Sequence, residues 1–146
     1  MVLPSDHESY FFDISALIAV GNKRDSFHYQ ACAIDDELSR SNVTFITINA
    51  ILLEFWNSFS TIHLKPFAIK LINAIMQSKR WKSIEIDQSI MNRGIELFSQ
   101  MIDKEWGLVD CCSMVVAKDM SIRNIFSTDH HFEQAGFDIL LKNPKN

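Results

Sequence analysis

Four acidic residues stand out because each lies inside, or at the mouth of, an apolar stretch where an isolated charge is costly to bury. Asp13 and Asp129 each follow a short apolar run, Glu54 is embedded among apolar residues, and Asp110 precedes an almost continuously apolar segment. If these four carboxylates converged, they would repel one another strongly unless a divalent cation compensated their charge. The residue types therefore indicate a candidate cation site.

Carboxylate oxygens suit Mg²⁺ or Mn²⁺, which keep several bound waters and pair with phosphate groups. Such a cation lowers the pKa of a bound water, polarises a phosphoryl oxygen and stabilises the oxygen that leaves. Hydrolysis of a phosphodiester is thus the chemistry that this set of residues favours, and it requires no nucleophilic side chain.

The elements that must position the acids are those of an α/β domain, because short apolar runs alternate with longer stretches of helical period. The pattern predicts strands at residues 10–13, 43–47, 83–86, 124–128 and 137–141, and helices at 26–40, 50–61 and 67–78, after Asp87 and from near Asp110, with Asn49 as a helix cap. In a parallel sheet, Asp13 and Asp129 then lie at carboxyl ends of strands, the edge at which open α/β sheets bind ligands. Glu54 and Asp110 can reach the same rim from neighbouring helices.

Composition indicates one domain with a real core, since the chain has 146 residues of which 47% are apolar. Residues 1–9 form a polar lead-in that is expected to fray. The net charge of -4 excludes a global basic field, so any polyanion must be held locally. Lys79, Arg80 and Lys82 flank a tryptophan in a predicted loop and are candidate phosphate contacts, although such a segment can also be an ordinary solvated loop.

The location expected from the sequence is the cytoplasm. The 3 cysteines form neither a disulfide framework nor a metal-binding spacing, which favours a reducing compartment. Apolar runs are too short to span a bilayer, and the N-terminus lacks the layout of a signal peptide. We therefore expect no membrane association.

The order of these residues resembles the PIN-domain family, and within it the VapC-like ribonuclease toxins. The similarity runs from about Tyr10 to Leu141, and it is carried by FDISAL at 12–17, LE at 53–54, GLVDCCS at 107–113 and FSTDHHFEQAGF at 126–137. The last block is the most specific. The resemblance implies a Rossmann-like, three-layer α/β/α domain with a short central parallel sheet.

The resemblance also implies a function and a set of site residues. The function is that of a Mg²⁺- or Mn²⁺-dependent endoribonuclease, the toxin of a type II toxin–antitoxin pair, with RNA as substrate, an antitoxin that blocks the acidic pocket, and a homodimer. Asp13, Glu54, Asp110 and Asp129 match the acidic positions. Ser15, Ser113 and Thr128 match nearby hydroxyl positions that would orient carboxylates or water. His131 stands where some relatives carry a further acid, and it could contact the substrate instead.

Several alternatives stay open. Taken singly, Asp110 could cap its helix and Asp129 could close a turn. The whole chain could be a catalytically degenerate PIN-like module that binds protein or RNA, or a phosphoacceptor domain with Asp at a strand end. Trp56, Phe59 and Phe67 could line a groove for a partner or could complete the core.

Overall fold

The computed structural model describes residues 8–142. Residues 1–7 of the predicted lead-in lie outside the described part, whereas Ser9 already belongs to the first strand. The described elements, in chain order, are β1 Ser9–Phe12, α1 Ile14–Gly21, α2 His28–Ser39, β2 Thr44–Ile48, α3 Asn49–Ser58, α4 Lys65–Gln77, β3 Trp81–Ile84, α5 Gln88–Gln100, α6 Leu108–Asp119, β4 Asn124–Phe126, α7 His131–Gln134 and β5 Asp138–Ile139.

The five strands form one sheet in the order β3-β2-β1-β4-β5, and every pairing is parallel. β1 is the central strand and carries the fully buried Phe11 and Phe12, as expected for a strand covered on both faces. The parallel sheet predicted from the alternating pattern is therefore confirmed.

The strand order also explains the three layers. The chain moves in one direction from β1 to β3 and then crosses back to β4 and β5. Because crossovers between parallel strands are right-handed, the helices of the two halves cover opposite faces of the sheet. The main helix contacts agree: α1 packs on α2 and α3, α3 packs on α4, and α5 packs on α6. From Cys111 to Ala117, α6 is buried continuously, as its apolar sequence predicts.

Some element boundaries differ from the prediction. Asn49 is the first residue of α3 rather than its cap, and its Oδ1 accepts a hydrogen bond from the Ile86 backbone at 3.1 Å. Because Asn49 and Ile86 are 37 residues apart, nothing in the sequence around Asn49 predicts this contact. Asp87 does cap α5, accepting from the Ile90 N–H at 2.8 Å. β3 begins two residues earlier than predicted because Trp81 pairs with Phe45.

Within residues 8–142, no helix combines the length and the apolarity that crossing a membrane requires.

Candidate metal centre at the carboxyl edge of the sheet

Asp13 is the buried centre of the candidate site. It directly follows β1 and occupies the cap position of α1, and only 3% of its surface is exposed. Ser15 Oγ donates to Asp13 Oδ2 at 3.0 Å, and Ser127 Oγ donates to the same oxygen at 2.8 Å. Burial, and to a smaller extent the charge of Asp110, raises the pKa of Asp13 to about 6 against the lowering effect of these two hydrogen bonds.

The two serine hydroxyls connect Asp13 to the loop after β4. Ser15 Oγ accepts the Thr128 N–H at 3.0 Å, and Ser127 Oγ accepts the Asp129 N–H at 2.9 Å. Each hydroxyl has one proton, which is directed at Asp13, and uses its oxygen to hold the loop. The carboxylate of Asp13 and the backbone of Asp129 are thereby fixed relative to each other.

Asp110 lies in the first turn of α6, where the helix dipole favours a negative charge. Its Oδ2 accepts the Gly107 N–H at 3.0 Å, so the capping role considered for Asp110 is real. The pKa of Asp110 is nevertheless raised, chiefly by burial and then by the charge of Asp129. Capping and membership of the acidic cluster therefore coexist in one side chain.

His131 lies between two of the acids. Its Nδ1 is 3.1 Å from Asp129 Oδ1 and 3.7 Å from Asp110 Oδ2, and its backbone N–H donates to Asp129 Oδ1 at 2.9 Å. Nδ1 is buried without a hydrogen bond of good geometry. Ligand atoms of Asp129, His130 and His131 lie within 4.8 Å of one another, a spacing that a metal ion could bridge.

Glu54 reaches the cluster from α3. Its side chain is exposed, and its pKa is raised by partial burial and by the negative charge of Asp110. Asp110 thus influences Glu54 and Asp13, and Asp129 influences Asp110. Mutual repulsion of this kind is the electrostatic condition that a divalent cation relieves, so the donor set fits Mg²⁺ or Mn²⁺.

The remaining predicted residues occupy two different places. Ser113 is buried in α6 and donates its hydroxyl proton to the Val109 carbonyl at 2.8 Å rather than to a carboxylate. Lys79, Arg80 and Lys82 lie at the start of β3, on the amino edge of the sheet and away from the acids. Arg80 donates its guanidinium to the Ser39 carbonyl.

Ser127 was not singled out from the sequence, although it makes the shortest contact to Asp13. In the sequence it lies inside the strand predicted at 124–128, where nothing distinguishes it. The contact depends on the parallel pairing of β1 with β4, in which Phe12 lies beside Phe126.

Comparisons with known proteins place this geometry in a structural class. No family model and no curated protein matches the sequence. The structure of Mycobacterium tuberculosis VapC20, a toxin that cleaves the sarcin-ricin loop, superimposes with a TM-score of 0.77 at 23% identity, covering 88% of this chain and 95% of that one. VapBC2 from Rickettsia felis gives a TM-score of 0.64 at 14% identity, with 90% and 96% coverage. FitAcB from Neisseria gonorrhoeae gives a TM-score of 0.64 at 16% identity, covering 94% of this chain and 99% of that one.

These neighbours confirm the PIN-like α/β fold that was expected from the residues around the four acids. The match extends over nearly the full length of each compared chain. The chain therefore has the fold of the VapC20 toxin and of the VapBC2 and FitAcB structures.

Proposed function

We propose that this protein is a metal-dependent endoribonuclease and the toxin of a type II toxin–antitoxin pair. The observation that carries the proposal is the coupling of the acids at one edge of the sheet. Asp13 is buried and held by two hydroxyls, Asp110 raises the pKa of both Asp13 and Glu54, and Asp129 raises that of Asp110. Nothing in a purely structural role requires this concentration of negative charge.

In this proposal, Asp13, Glu54, Asp110 and Asp129 hold Mg²⁺ or Mn²⁺ with carboxylate oxygens. The bound cation would acidify a water and stabilise charge that develops on the phosphate. Ser15 and Ser127 keep Asp13 Oδ2 in place, and through Thr128 and Asp129 they keep the loop after β4 in register with it. Ser113 supports the start of α6 through its bond to Val109, which positions Asp110 indirectly.

His131 has two roles open to it. Its ring contacts Asp129 and faces Asp110, so it restrains both carboxylates. A substrate phosphate that enters the cluster would also meet this imidazole, which supports the proposed substrate contact. Lys79, Arg80 and Lys82 could touch only RNA that extends to the opposite edge of the sheet.

RNA is the proposed substrate because VapC20, with the same fold, is described as cleaving the sarcin-ricin loop.

We propose action in the cytoplasm, where thiols stay reduced, because Cys32, Cys111 and Cys112 are all free in the structure.

An antitoxin is the proposed protein partner. VapBC2 and FitAB were both solved bound to DNA, VapBC2 to a fragment of its own promoter. In this chain, an apolar cavity of about 450 Å³ lies beside the acids, with Leu53, Met91 and Val109 among its walls. Leu53 and Val109 directly precede Glu54 and Asp110. A partner segment seated there would cover the acidic cluster.

A homodimer is proposed on a different surface. Ile95, Phe98 and Ile102 project along one side of α5 and its C-terminal extension, and each is about half exposed or more. Of the aromatic residues considered for an interface, Trp56 is also exposed. Phe59 is buried against Phe55 and therefore belongs to the core.

The proposed activity is tested by incubating purified protein with ribosomal RNA, with and without Mg²⁺ or Mn²⁺, and mapping new ends by primer extension. We expect discrete cleavage that requires the metal and is lost in Asp110→Asn. Asp119→Asn is the matched control, because Asp119 lies at the other end of α6 in an exposed ion pair with Arg93. Cleavage that persists in chelator or in Asp110→Asn would contradict the proposal, and intact RNA throughout would favour a catalytically degenerate module.

A further inference from the structure

A groove of about 700 Å³ lies at the far end of α1 from the acids. One wall is the turn after α1, with Asn22, Lys23 and Arg24, and the other is the segment that leads into α4, with His63, Leu64 and Phe67. Its volume is in the range of ligand-binding clefts. The groove therefore combines basic groups on one side with apolar groups on the other.

The cations of this groove are unengaged. Arg24 makes no side-chain hydrogen bond or ion pair among the residues described, and neither does Lys23. The other four arginines are all engaged: Arg40, Arg93 and Arg123 pair with aspartates, and Arg80 donates to a backbone carbonyl. In a chain with a net charge of -4, these two adjacent cations give the groove a local positive charge that can bind an anion.

The groove also offers an aromatic surface. Phe67 is partly exposed, and its ring is supported by Phe59, with the ring centroids 6.2 Å apart. Gly21 forms part of the same groove, and a Cβ at this position would lie 2.4 Å from the Phe67 ring. Glycine thus lets the ring sit directly against α1. A cationic rim beside an aromatic face is the combination that binds single-stranded nucleic acid, through phosphates and stacked bases respectively.

Two helices connect the groove with the acidic cluster. α1 begins directly after Asp13 and ends at Gly21, and eight helical residues span about 12 Å. A second concavity of about 320 Å³, lined by Glu54, Asn57 and Ser58, lies along α3 between the two regions. α3 leads from Glu54 to the segment that forms the other wall of the groove. Both α1 and α3 therefore lead from the acids toward the walls of the groove.

We propose that this groove binds the single-stranded RNA that flanks the scissile phosphate, with Lys23 and Arg24 on its backbone and Phe67 against a base. The inference rests on the proposed ribonuclease function and names the surface that holds its substrate. The groove would supply the local positive charge that the acidic cluster and the overall charge of the chain do not.

The test is a binding measurement that is independent of cleavage. All variants carry Asp110→Asn and are titrated against a fluorescent single-stranded oligoribonucleotide of about 12 nucleotides by anisotropy at several salt concentrations. The test variant is Lys23→Gln/Arg24→Gln. The control is Lys118→Gln/Arg123→Gln, which removes one lysine and one arginine charge between the end of α6 and the start of β4. These side chains are exposed, so both variants are expected to fold.

We expect the test variant to lose about tenfold in affinity and to reduce the salt slope by about 1.4, since each single-strand phosphate contact contributes about 0.7. The control should bind within about twofold of the parent. Unchanged binding in the test variant, or an equal loss in both variants, would overturn the proposal. Unchanged RNA binding with loss of a co-purifying antitoxin would assign the groove to a protein instead.

The two proposals can fail separately. If the wild type shows no metal-dependent cleavage but the Lys23 and Arg24 substitutions weaken RNA binding, the ribonuclease function is wrong and the groove stands as an RNA site. If cleavage occurs and these substitutions leave RNA affinity and salt slope unchanged, the groove is wrong and the function stands.

Discussion

Ser127 Oγ donates a hydrogen bond to Asp13 Oδ2 at 2.8 Å although 114 residues separate them in the chain. The bond joins the ends of two adjacent parallel strands, β1 and β4. Ser15, in the first turn of α1, donates a second hydrogen bond to the same carboxylate oxygen. Because this carboxylate is buried, restrained by two hydroxyls and influenced by the charge of Asp110, its negative charge is stabilised by a bound cation.

Removing the Ser127 hydroxyl is expected to weaken metal binding without unfolding the protein. Ser127→Ala deletes a donor to Asp13 and the acceptor of the Asp129 N–H. Loss of such a support typically costs tenfold or more in metal affinity, so we expect about a tenfold increase in the Mn²⁺ dissociation constant by calorimetry. Ser41→Ala is the control, because that hydroxyl donates to the Glu37 carbonyl just before β2, away from the acids. Equal losses of Mn²⁺ affinity in the two variants would show that metal binding does not depend on the contact between Ser127 and Asp13.

The stability of the metal-free protein is expected to depend on pH through Asp13. Its pKa is raised from 3.8 to about 6, so the folded state holds a proton that the unfolded state releases. Stability from this group is present below about pH 4 and is lost as the pH rises through about 6. A difference of about two pKa units corresponds to about 3 kcal/mol of unfolding free energy.

Asp13→Asn should therefore stabilise the metal-free protein at about pH 8 by up to roughly 3 kcal/mol, with a much smaller effect at about pH 4. Urea unfolding of both proteins at the two pH values measures this difference. Asp119→Asn is the contrasting control, because the hydrogen bond from Arg93 lowers the pKa of Asp119, so its substitution should not stabilise the protein at about pH 8. Destabilisation of Asp13→Asn by the same amount at both pH values would contradict the electrostatic explanation.

Close packing of α5 on α6 predicts a sensitive position at Gly94. A Cβ there would lie 2.5 Å from Cys112 Sγ and 3.4 Å from the Cys112 backbone nitrogen. Overpacking of this kind costs about 1–3 kcal/mol, and we expect Gly94→Ala to lower the free energy of unfolding accordingly. Because Cys112→Ala removes the clashing sulfur, the double variant Gly94→Ala/Cys112→Ala should recover part of the loss relative to the sum of the single changes. Strict additivity would rule out the proposed contact.

The exposed apolar side of α5 predicts the surface of the homodimer. Phe98→Asp places a charge on the stripe formed with Ile95 and Ile102, so we expect it to shift the protein toward monomer in light scattering. Met120→Asp, at another exposed apolar residue on a different element, is the control and should leave the mass unchanged. A wild-type protein that is monomeric at high concentration would remove this part of the proposal.

Much of the fold could be predicted from the sequence because its signals are local. A parallel sheet leaves short apolar runs such as Tyr10 to Phe12, and a buried helix leaves the continuous apolar run of α6. Boundaries were less accurate. Asparagine is a residue type that often caps helices, but Asn49 is the first residue of α3, and its side chain accepts a hydrogen bond from Ile86, far along the chain.

The site could be predicted only in part, because some of its contacts join residues that are far apart in the chain. The acids were visible because charge among apolar residues is costly, and their neighbours carry a family resemblance. Ser127 had no such signal, since a serine after a strand is common and its importance arises from strand pairing. The basic segment at Lys79 and Arg80 was equally visible in the sequence, yet the direction of β3 places it on the opposite edge from the acids.

Mn²⁺ binding by the wild-type protein and by Asp110→Asn is the sharpest test of the acidic metal centre, because it requires no knowledge of the substrate. Electron paramagnetic resonance reports the free ion, and Asp119→Asn on the same helix is the matched control. We predict saturable binding by the wild type and the control, with most of that binding lost in Asp110→Asn. Absence of binding by the wild type at millimolar Mn²⁺, or undiminished binding by Asp110→Asn, would contradict the assignment of these acids as a metal centre.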